Sequence, residues 1–165
     1  MGDPSERPAG PVTGRVILLC GLPGSGKTTE ARRLGAELGA VRMCPDEWMD
    51  ALGIDLWDQA ARARVEALQW SQTLELARRG LTVVVEWGVW SRAEREVART
   101  EARAAGAAIE LRYLDVPKDE LWRRLDARNR RPGFGWAEID RSSLDAWWEL
   151  FEPPAADELA RFDQP

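Results

Sequence analysis

The sequence predicts an α/β fold of three layers, in which a central parallel sheet of about four to five strands carries helices on both faces. Two observations lead to this prediction. Apolar runs of strand length alternate along the chain with longer segments of helical periodicity, and this alternation is typical of parallel sheets covered by crossover helices. In addition, a glycine-rich segment at 21–28 joins the first predicted strand to the first predicted helix.

The segment at 21–28 reads GLPGSGKT and fits G-x-x-x-x-G-K-[ST], the pattern of the phosphate-binding P-loop. The apolar run Arg15–Cys20 precedes it and is expected to form a buried strand. In the segment that follows, Ala31, Leu34 and Leu38 share one helical face. Because the motif requires a strand, a loop and a helix in this order, the sequence predicts a P-loop NTPase fold with a nucleoside triphosphate site.

The P-loop supplies the candidate cofactor-binding residues. Its glycines permit backbone conformations that point N–H groups at a phosphate, and the positive end of the next helix adds to the attraction. Lys27 can reach the β- and γ-phosphates, and the Thr28 hydroxyl is placed to coordinate Mg²⁺. The candidate contacts are Gly21, Leu22, Pro23, Gly24, Ser25, Gly26, Lys27, Thr28 and Thr29.

Asp46 is the first candidate for chemistry beyond phosphate binding. It follows a short predicted strand, Val41–Cys44, and lies with Glu47 in the first turn of a helix that Pro45 opens. Open α/β sheets bind ligands at this carboxyl edge, and phosphoryl transfer to an alcohol needs a carboxylate near the acceptor. We expect Asp46 to be the general base or to orient the acceptor. Alternatively, it only stabilises its helix or orders the waters of Mg²⁺.

A long helix is predicted from Asp58 to Arg79, and Gly80 ends it. Its apolar positions fall on two stripes, so we expect burial over much of its circumference. The stripes are Ala61, Val65, Leu68 and Gln72 on one side and Ala63, Ala67, Trp70, Leu74 and Ala77 on the other.

Glu86 is the second candidate. It lies near the carboxyl end of the third predicted strand, Leu81–Trp87, after a β-branched run. An acid in this position typically assists Mg²⁺ through water, although Glu86 could instead hydrogen-bond the acceptor or have no role. Farther along, Ser91 and Glu94 match a capping box, which predicts that a helix starts near Arg92.

The sequence contains nine tryptophans, and we expect most of them in the core or in subunit contacts. Trp48, Trp87 and Trp90 differ because they follow predicted strands at the ligand edge. They are candidate substrate residues, since an aromatic wall there can stack on a sugar ring or a base.

The last third of the chain predicts a fourth, less buried strand, Ala108–Asp115, and then a helix that Pro117 opens. A final long helix is predicted over Glu138–Phe151, and the tail around Asp157–Leu159 is expected to form a short helix or strand.

An arginine-rich segment around 123–136 is expected to act as a lid. Arginines on a closing lid neutralise the transferring phosphate and exclude water. We expect Arg128 and Arg131 to face the phosphate, and the alternative for other members is a solvated helix face. The arginines are Arg123, Arg124, Arg128, Arg130 and Arg131.

The composition limits the class of protein. The 165 residues suffice for one domain, which we expect over 15–165 after a flexible lead-in at 1–14. The net charge of −5 disfavours a nucleic-acid partner. Histidine is absent and there are two cysteines, so a Cys/His metal site is excluded, and a carboxylate, lysine or tyrosine must transfer protons. Because the sequence has no run of membrane-span length and no signal-peptide core, we expect a cytoplasmic protein.

Five runs together resemble the P-loop kinase group over roughly residues 15–160: ILLCGLPGSGKTT, MCPDEWM, VVVEWGVWSRAERE, LRYLDVPKDELWRRLDARN and FEPPAADE. The sequence is most similar to the branch of zeta toxins, chloramphenicol phosphotransferases and polynucleotide kinases, whose members are often described only as AAA-type ATP-binding proteins. The resemblance implies that Asp46 matches the catalytic aspartate. It also implies that Lys27 and Thr28 match the phosphate lysine and the Mg²⁺ hydroxyl, and that Arg128, with Arg131, matches the lid arginine.

The resemblance implies an ATP- and Mg²⁺-dependent kinase that phosphorylates a hydroxyl of a small molecule, such as a sugar, a nucleoside or an antibiotic-like compound. Polynucleotide kinases often have an arginine three residues after the aspartate, where this sequence has Met49, and an aspartate where it has Glu86. A 5′-hydroxyl polynucleotide kinase is therefore the second hypothesis, and a non-catalytic ATP-binding regulator is the third. The sequence leaves the oligomeric state open.

Overall fold

The computed structural model describes residues 13–131 and 137–165. Most of the predicted lead-in and the last part of the predicted lid, at 132–136, lie outside these residues. The elements in chain order are β1 (Arg15–Cys20), α1 (Lys27–Leu38), β2 (Val41–Met43), α2 (Pro45–Ala51), α3 (Gln59–Arg78), β3 (Thr82–Gly88), α4 (Arg92–Ala104), β4 (Ala108–Tyr113), α5 (Lys118–Asn129), α6 (Arg141–Leu150) and α7 (Ala156–Leu159).

The four strands form one parallel sheet in the order β2-β3-β1-β4. Leu18 of β1 lies opposite Val85 of β3 and Leu111 of β4, so the P-loop strand occupies the middle of the sheet. The position fits the sequence of β1, which is apolar on both faces. The predicted α/β fold is confirmed, and β4 lies at an edge, as its lower burial indicates.

Alternate residues of β1 enter two separate cores. Ile17 and Leu19 pack with Ala31 and Leu34 of α1 on one face of the sheet. Val16 belongs to the larger cluster on the opposite face, to which α3 and α4 contribute. Helices therefore cover both faces, and all four strands end at the edge where α1, α2 and α4 begin.

The burial of α3 differs from the prediction. Two of its five buried residues, Gln69 and Thr73, are polar. The Trp87 indole N–H donates to Oε1 of Gln69 at 2.9 Å, and the Thr73 hydroxyl donates to the backbone carbonyl of Gln69 at 2.8 Å. The prediction of two apolar stripes is wrong in part: Trp70 and Leu74 do pack against the core, but Leu68 is 52% exposed, and the fully buried residues form one line of every fourth position. The buried line is Ala61, Val65, Gln69, Thr73 and Ala77.

Capping side chains set the starts of two later helices. Ser91 and Glu94 form the predicted capping box at α4. The last long helix begins at Arg141, later than predicted, because Asp140 accepts a hydrogen bond from the Ser143 N–H at 2.7 Å and caps it there. Among the helices of the described residues, none combines the length and the apolar character that crossing a membrane requires.

Candidate nucleotide and phosphotransfer site

The P-loop follows β1 and is shaped by glycine conformations. Gly24 and Gly26 have φ angles of 84° and 99°, in the left-handed region that side chains disfavour. A Cβ on Gly24 would lie 3.1 Å from the Leu125 side chain, so α5 packs tightly against the loop. Gly26 then serves as the N-cap of α1, which directs the start of that helix at the loop.

Lys27 lies inside this loop. Its ammonium group donates to the Gly21 carbonyl at 2.9 Å and to the Leu22 carbonyl at 3.0 Å. Burial lowers the pKa of Lys27 to about 8, although the negative charge of Asp46 acts in the opposite direction. The lysine therefore lacks a full counter-charge, which the phosphates of a nucleotide would supply.

One cavity of about 1740 Å³ opens at the carboxyl edge of the sheet. Its volume exceeds the roughly 300–1,000 Å³ of a typical single-ligand site, so it has room for a nucleotide and an acceptor together. The predicted site residues that line it are Pro23, Gly24, Gly26, Lys27, Thr28, Thr29, Asp46, Glu86, Trp87, Trp90 and Arg128.

The remaining predicted residues have other places. Gly21, Leu22 and Ser25 are the buried residues of the loop itself. Trp48, two residues along α2 from Asp46, turns away and packs against the core. Arg131 is exposed just beyond α5 and is not part of the described cavity lining.

Asp46 projects from the first turn of α2 and is about 57% exposed. Its Oδ1 atom accepts a hydrogen bond from the Arg62 guanidinium of α3 at 2.6 Å. Arg62 also lines the cavity, and sequence reasoning missed it because only the packing of α3 against α2 brings it to Asp46. Burial lowers the pKa values of Lys27 and Arg128, and the negative charge of Asp46 opposes this effect at both groups, so Asp46 also faces the P-loop side.

Glu86 is buried at the end of β3. Its Oε1 atom accepts a hydrogen bond from Arg42 at 2.8 Å, and Arg42 also pairs with Glu47 at 3.0 Å. The Oε2 atom is buried and makes no hydrogen bond to a described residue. Burial raises the pKa of Glu86, which Arg42 and the nearby Thr28 side chain counteract.

Thr28 and Glu86 fit the requirements of Mg²⁺. This ion prefers oxygen ligands, keeps several waters and is commonly bound through one or two carboxylates together with substrate phosphates. The Oε2 atom of Glu86 offers an acceptor for such waters. The described part of the chain contains no cluster of three acidic or cysteine side chains that could hold a metal ion.

The arginines of α5 fall into two groups. Arg128 is half-buried and lines the cavity, and its burial lowers the pKa of its guanidinium. Arg124 also lines the cavity and donates to the Gly24 carbonyl at 3.3 Å. Arg124 also pairs with Glu120 of its own helix, at 2.7 Å, whereas Arg123 and Arg130 make only such pairs in the described hydrogen bonds, at exposed positions, as expected for a solvated face.

Tryptophans form much of the remaining wall. Trp90 contacts Trp147 with ring centroids 5.8 Å apart, and Trp147 stacks on Trp57 at 6.2 Å. Trp70 meets Trp87 edge to face at 5.9 Å. All five line the cavity; three of them were not predicted, because they come from α3, α6 and a loop rather than from strand ends.

A family model described as an AAA domain matches residues 16–154. No curated protein matches the chain. Among solved structures, a chain of the Pnkp1/Rnl/Hen1 RNA repair complex has a TM-score of 0.69 and 22% identity, over 84% of this chain and 44% of that one. This chain therefore spans less than half the length of that relative.

Two further structures cover most of both chains. Kti12 from Chaetomium thermophilum, in complex with ADP-AlF3, has a TM-score of 0.66 and 20% identity, over 85% of this chain and 81% of that one. A gluconokinase from Sinorhizobium meliloti has a TM-score of 0.57 and 21% identity, over 88% and 79%. At these identities the likeness establishes the fold.

Proposed function

Because the chain belongs to the AAA domain family, we propose that it is an ATP- and Mg²⁺-dependent kinase that transfers the γ-phosphate to a hydroxyl of a small molecule. Membership confirms the resemblance to AAA-type ATP-binding proteins that the sequence motifs carry. The observation on which the proposal depends is that Lys27, Asp46 and Arg128 line one cavity. Phosphoryl transfer needs a phosphate lysine, an acceptor-positioning acid and cations around the transferring group.

On the donor side, Lys27 exchanges the carbonyls of Gly21 and Leu22 for the phosphates of ATP. Arg128 and Arg124 approach from α5 and neutralise the charge that spreads over the phosphate oxygens during transfer. Thr28, with Glu86 through water, would hold Mg²⁺, which supplies further charge neutralisation at the phosphates when bound.

On the acceptor side, Asp46 receives the proton. As the acceptor oxygen bonds to the γ-phosphorus, the bond from that phosphorus to the bridging oxygen of ADP breaks, and the hydroxyl proton passes to the Asp46 carboxylate. Arg62 holds Oδ1 of Asp46 at 2.6 Å and so fixes the orientation of the carboxylate.

The charges on the acceptor side favour a small molecule over a polynucleotide. Among the described cavity residues of α3 and α4, Arg62 is the one cation, whereas Glu66, Glu94 and Glu101 are acids. The sugar–phosphate backbone of a polynucleotide would face mainly carboxylates there, which opposes the charge neutralisation that nucleic-acid binding needs. Arg62 is also the observation that favours the second candidate, a 5′-hydroxyl polynucleotide kinase, because it could bind one phosphate beside Asp46.

The test is transfer of label from γ-labelled ATP to a panel of small hydroxyl compounds and to a short 5′-hydroxyl oligonucleotide. We expect label on a small molecule and a loss of more than about 100-fold in Asp46→Asn, because general-base catalysis contributes at least that factor. The nucleotide Kd should stay unchanged. Asp50→Asn is the matched control, since Asp50 lines the same cavity from the same helix.

Each other result has a definite meaning. Full turnover by Asp46→Asn would show that Asp46 is not the general base. Salt-sensitive labelling of the oligonucleotide alone would replace the small-molecule proposal with the polynucleotide kinase. Binding of ATP with no transfer to any acceptor would contradict the enzyme and leave the ATP-binding regulator.

A further inference from the structure

The turn between β3 and α4 has a strained backbone and forms part of the cavity wall. Val89 has a φ of 39°, and it is the one non-glycine residue with positive φ in the described chain. This region is especially unfavourable for a β-branched residue, so surrounding contacts must maintain it. The next residue, Trp90, lines the cavity.

Arg95 of α4 holds this turn from inside the protein. Its side chain is fully buried. One guanidinium nitrogen, Nη1, donates to the carbonyls of both Val89 and Trp90, at 3.0 Å each. The side chain thus bonds two successive carbonyls of the strained turn.

Glu158 of α7 holds Arg95 in turn. Its two carboxylate oxygens accept from Nε at 2.5 Å and from Nη2 at 3.0 Å, in the bidentate geometry that fixes a guanidinium plane. Glu158 is as buried as its partner. A buried ion pair is often no more stabilising than an apolar pair, but an apolar pair could not donate to the two carbonyls.

The segment just before α7 adds further bonds to the same turn. The Glu152 N–H donates to the Trp90 carbonyl at 3.0 Å, and the Glu152 carboxylate accepts from the Arg92 N–H at 2.7 Å. Arg92 also pairs with Asp157 at 3.0 Å. Residues 152–158 therefore contact the turn at several independent points.

We propose that Arg95 and Glu158 are positioning residues that hold Trp90 in the cavity wall, so that α7 sets the shape of the substrate site without touching substrate. The effect on phosphate transfer rests on the proposed function. The effect on Trp90 does not.

The experiment labels the protein with 5-fluorotryptophan and follows Trp90 by ¹⁹F NMR, with Trp90→Phe to assign its resonance. In Glu158→Gln we expect the Trp90 resonance to shift or broaden. Glu110→Gln is the matched control, because Glu110 is an equally buried carboxylate whose partners, Arg15 and Arg112, bond Glu110 and Glu30 rather than the turn at Val89 and Trp90. It should leave the Trp90 resonance unchanged.

A second variant and a second readout complete the test. If Glu158→Gln does not fold, Glu158→Asp keeps the charge and allows the same comparison. Phosphate transfer to the acceptor should fall about 10-fold or more in the Glu158 variant, because small misplacements are costly in catalysis, while the nucleotide Kd changes less than about twofold. An unchanged Trp90 resonance, or an equal change in Glu110→Gln, overturns the proposal. If no acceptor is phosphorylated, that result contradicts the proposed kinase function but leaves the positioning role of Arg95 and Glu158 to the NMR comparison.

Discussion

Nucleotide affinity should fall about tenfold between pH 7 and pH 9, because Lys27 loses its proton over this range. Burial lowers the pKa of Lys27 to about 8 in the nucleotide-free protein. About nine-tenths of the molecules then carry the ammonium at pH 7 and about one-tenth at pH 9. Bound phosphates raise the pKa of Lys27, so binding takes up a proton, and each pH unit above 8 costs about 1.4 kcal/mol of binding free energy until the pKa of the complex is reached.

The measurement is the Kd of a fluorescent ATP analogue at constant ionic strength across this range. Burial also raises the pKa of Cys20 to about 11 and the pKa values of Cys44 and Tyr113 to about 12, so these groups titrate above the window. Lys27→Arg is the control, because arginine stays protonated throughout. A Kd independent of pH in the wild type, or the same slope in Lys27→Arg, would refute the reasoning.

Two stability predictions concern the packing around the P-loop, and both are measured by urea denaturation. Gly88→Ala should lower the free energy of unfolding by about 2–4 kcal/mol, because its Cβ would lie 2.8 Å from the Trp90 indole nitrogen and 2.9 Å from the Gly21 carbonyl. Gly106→Ala, at φ 78° with no atom within 4 Å, should cost only about 1 kcal/mol, and equal losses would contradict this account. Leu125→Ala should cost about 2–5 kcal/mol, because Leu125 is fully buried against Leu22, whereas Leu150→Ala, at a residue 68% exposed, should change stability by less than about 0.5 kcal/mol.

The features predicted correctly are those specified by neighbouring residues. The P-loop pattern, the capping box at Ser91 and the proline that opens α2 each lie within a few positions of the structure they specify. Strand ends are equally local, and parallel strands bring their ends to one edge. For this reason Asp46 and Glu86 could be placed beside the P-loop from the sequence.

Features that depend on distant residues could not be predicted. Arg62 reaches Asp46 across 16 positions, and Glu158 reaches Arg95 across 63, without a spacing pattern that marks either pair. The sequence predicts only part of the buried face of α3, because hydrophobicity identifies a buried position only when its residue is apolar. Gln69 lies on that face, where Trp87 pairs its side-chain oxygen.

The central position of β1 has a consequence for synthesis of the protein. The strand is translated before its partners, Thr82–Gly88 and Ala108–Tyr113, so it has no strand to pair with while the next 60 or so residues are made. The Gly21 N–H, which donates to the Gly88 carbonyl at 3.1 Å, lacks this acceptor for about the same time. At ribosomal rates this delay lasts several seconds. The P-loop should therefore gain its ability to bind nucleotide only after β3 and β4 are made, when ATP can act as a ligand that stabilises the assembled sheet.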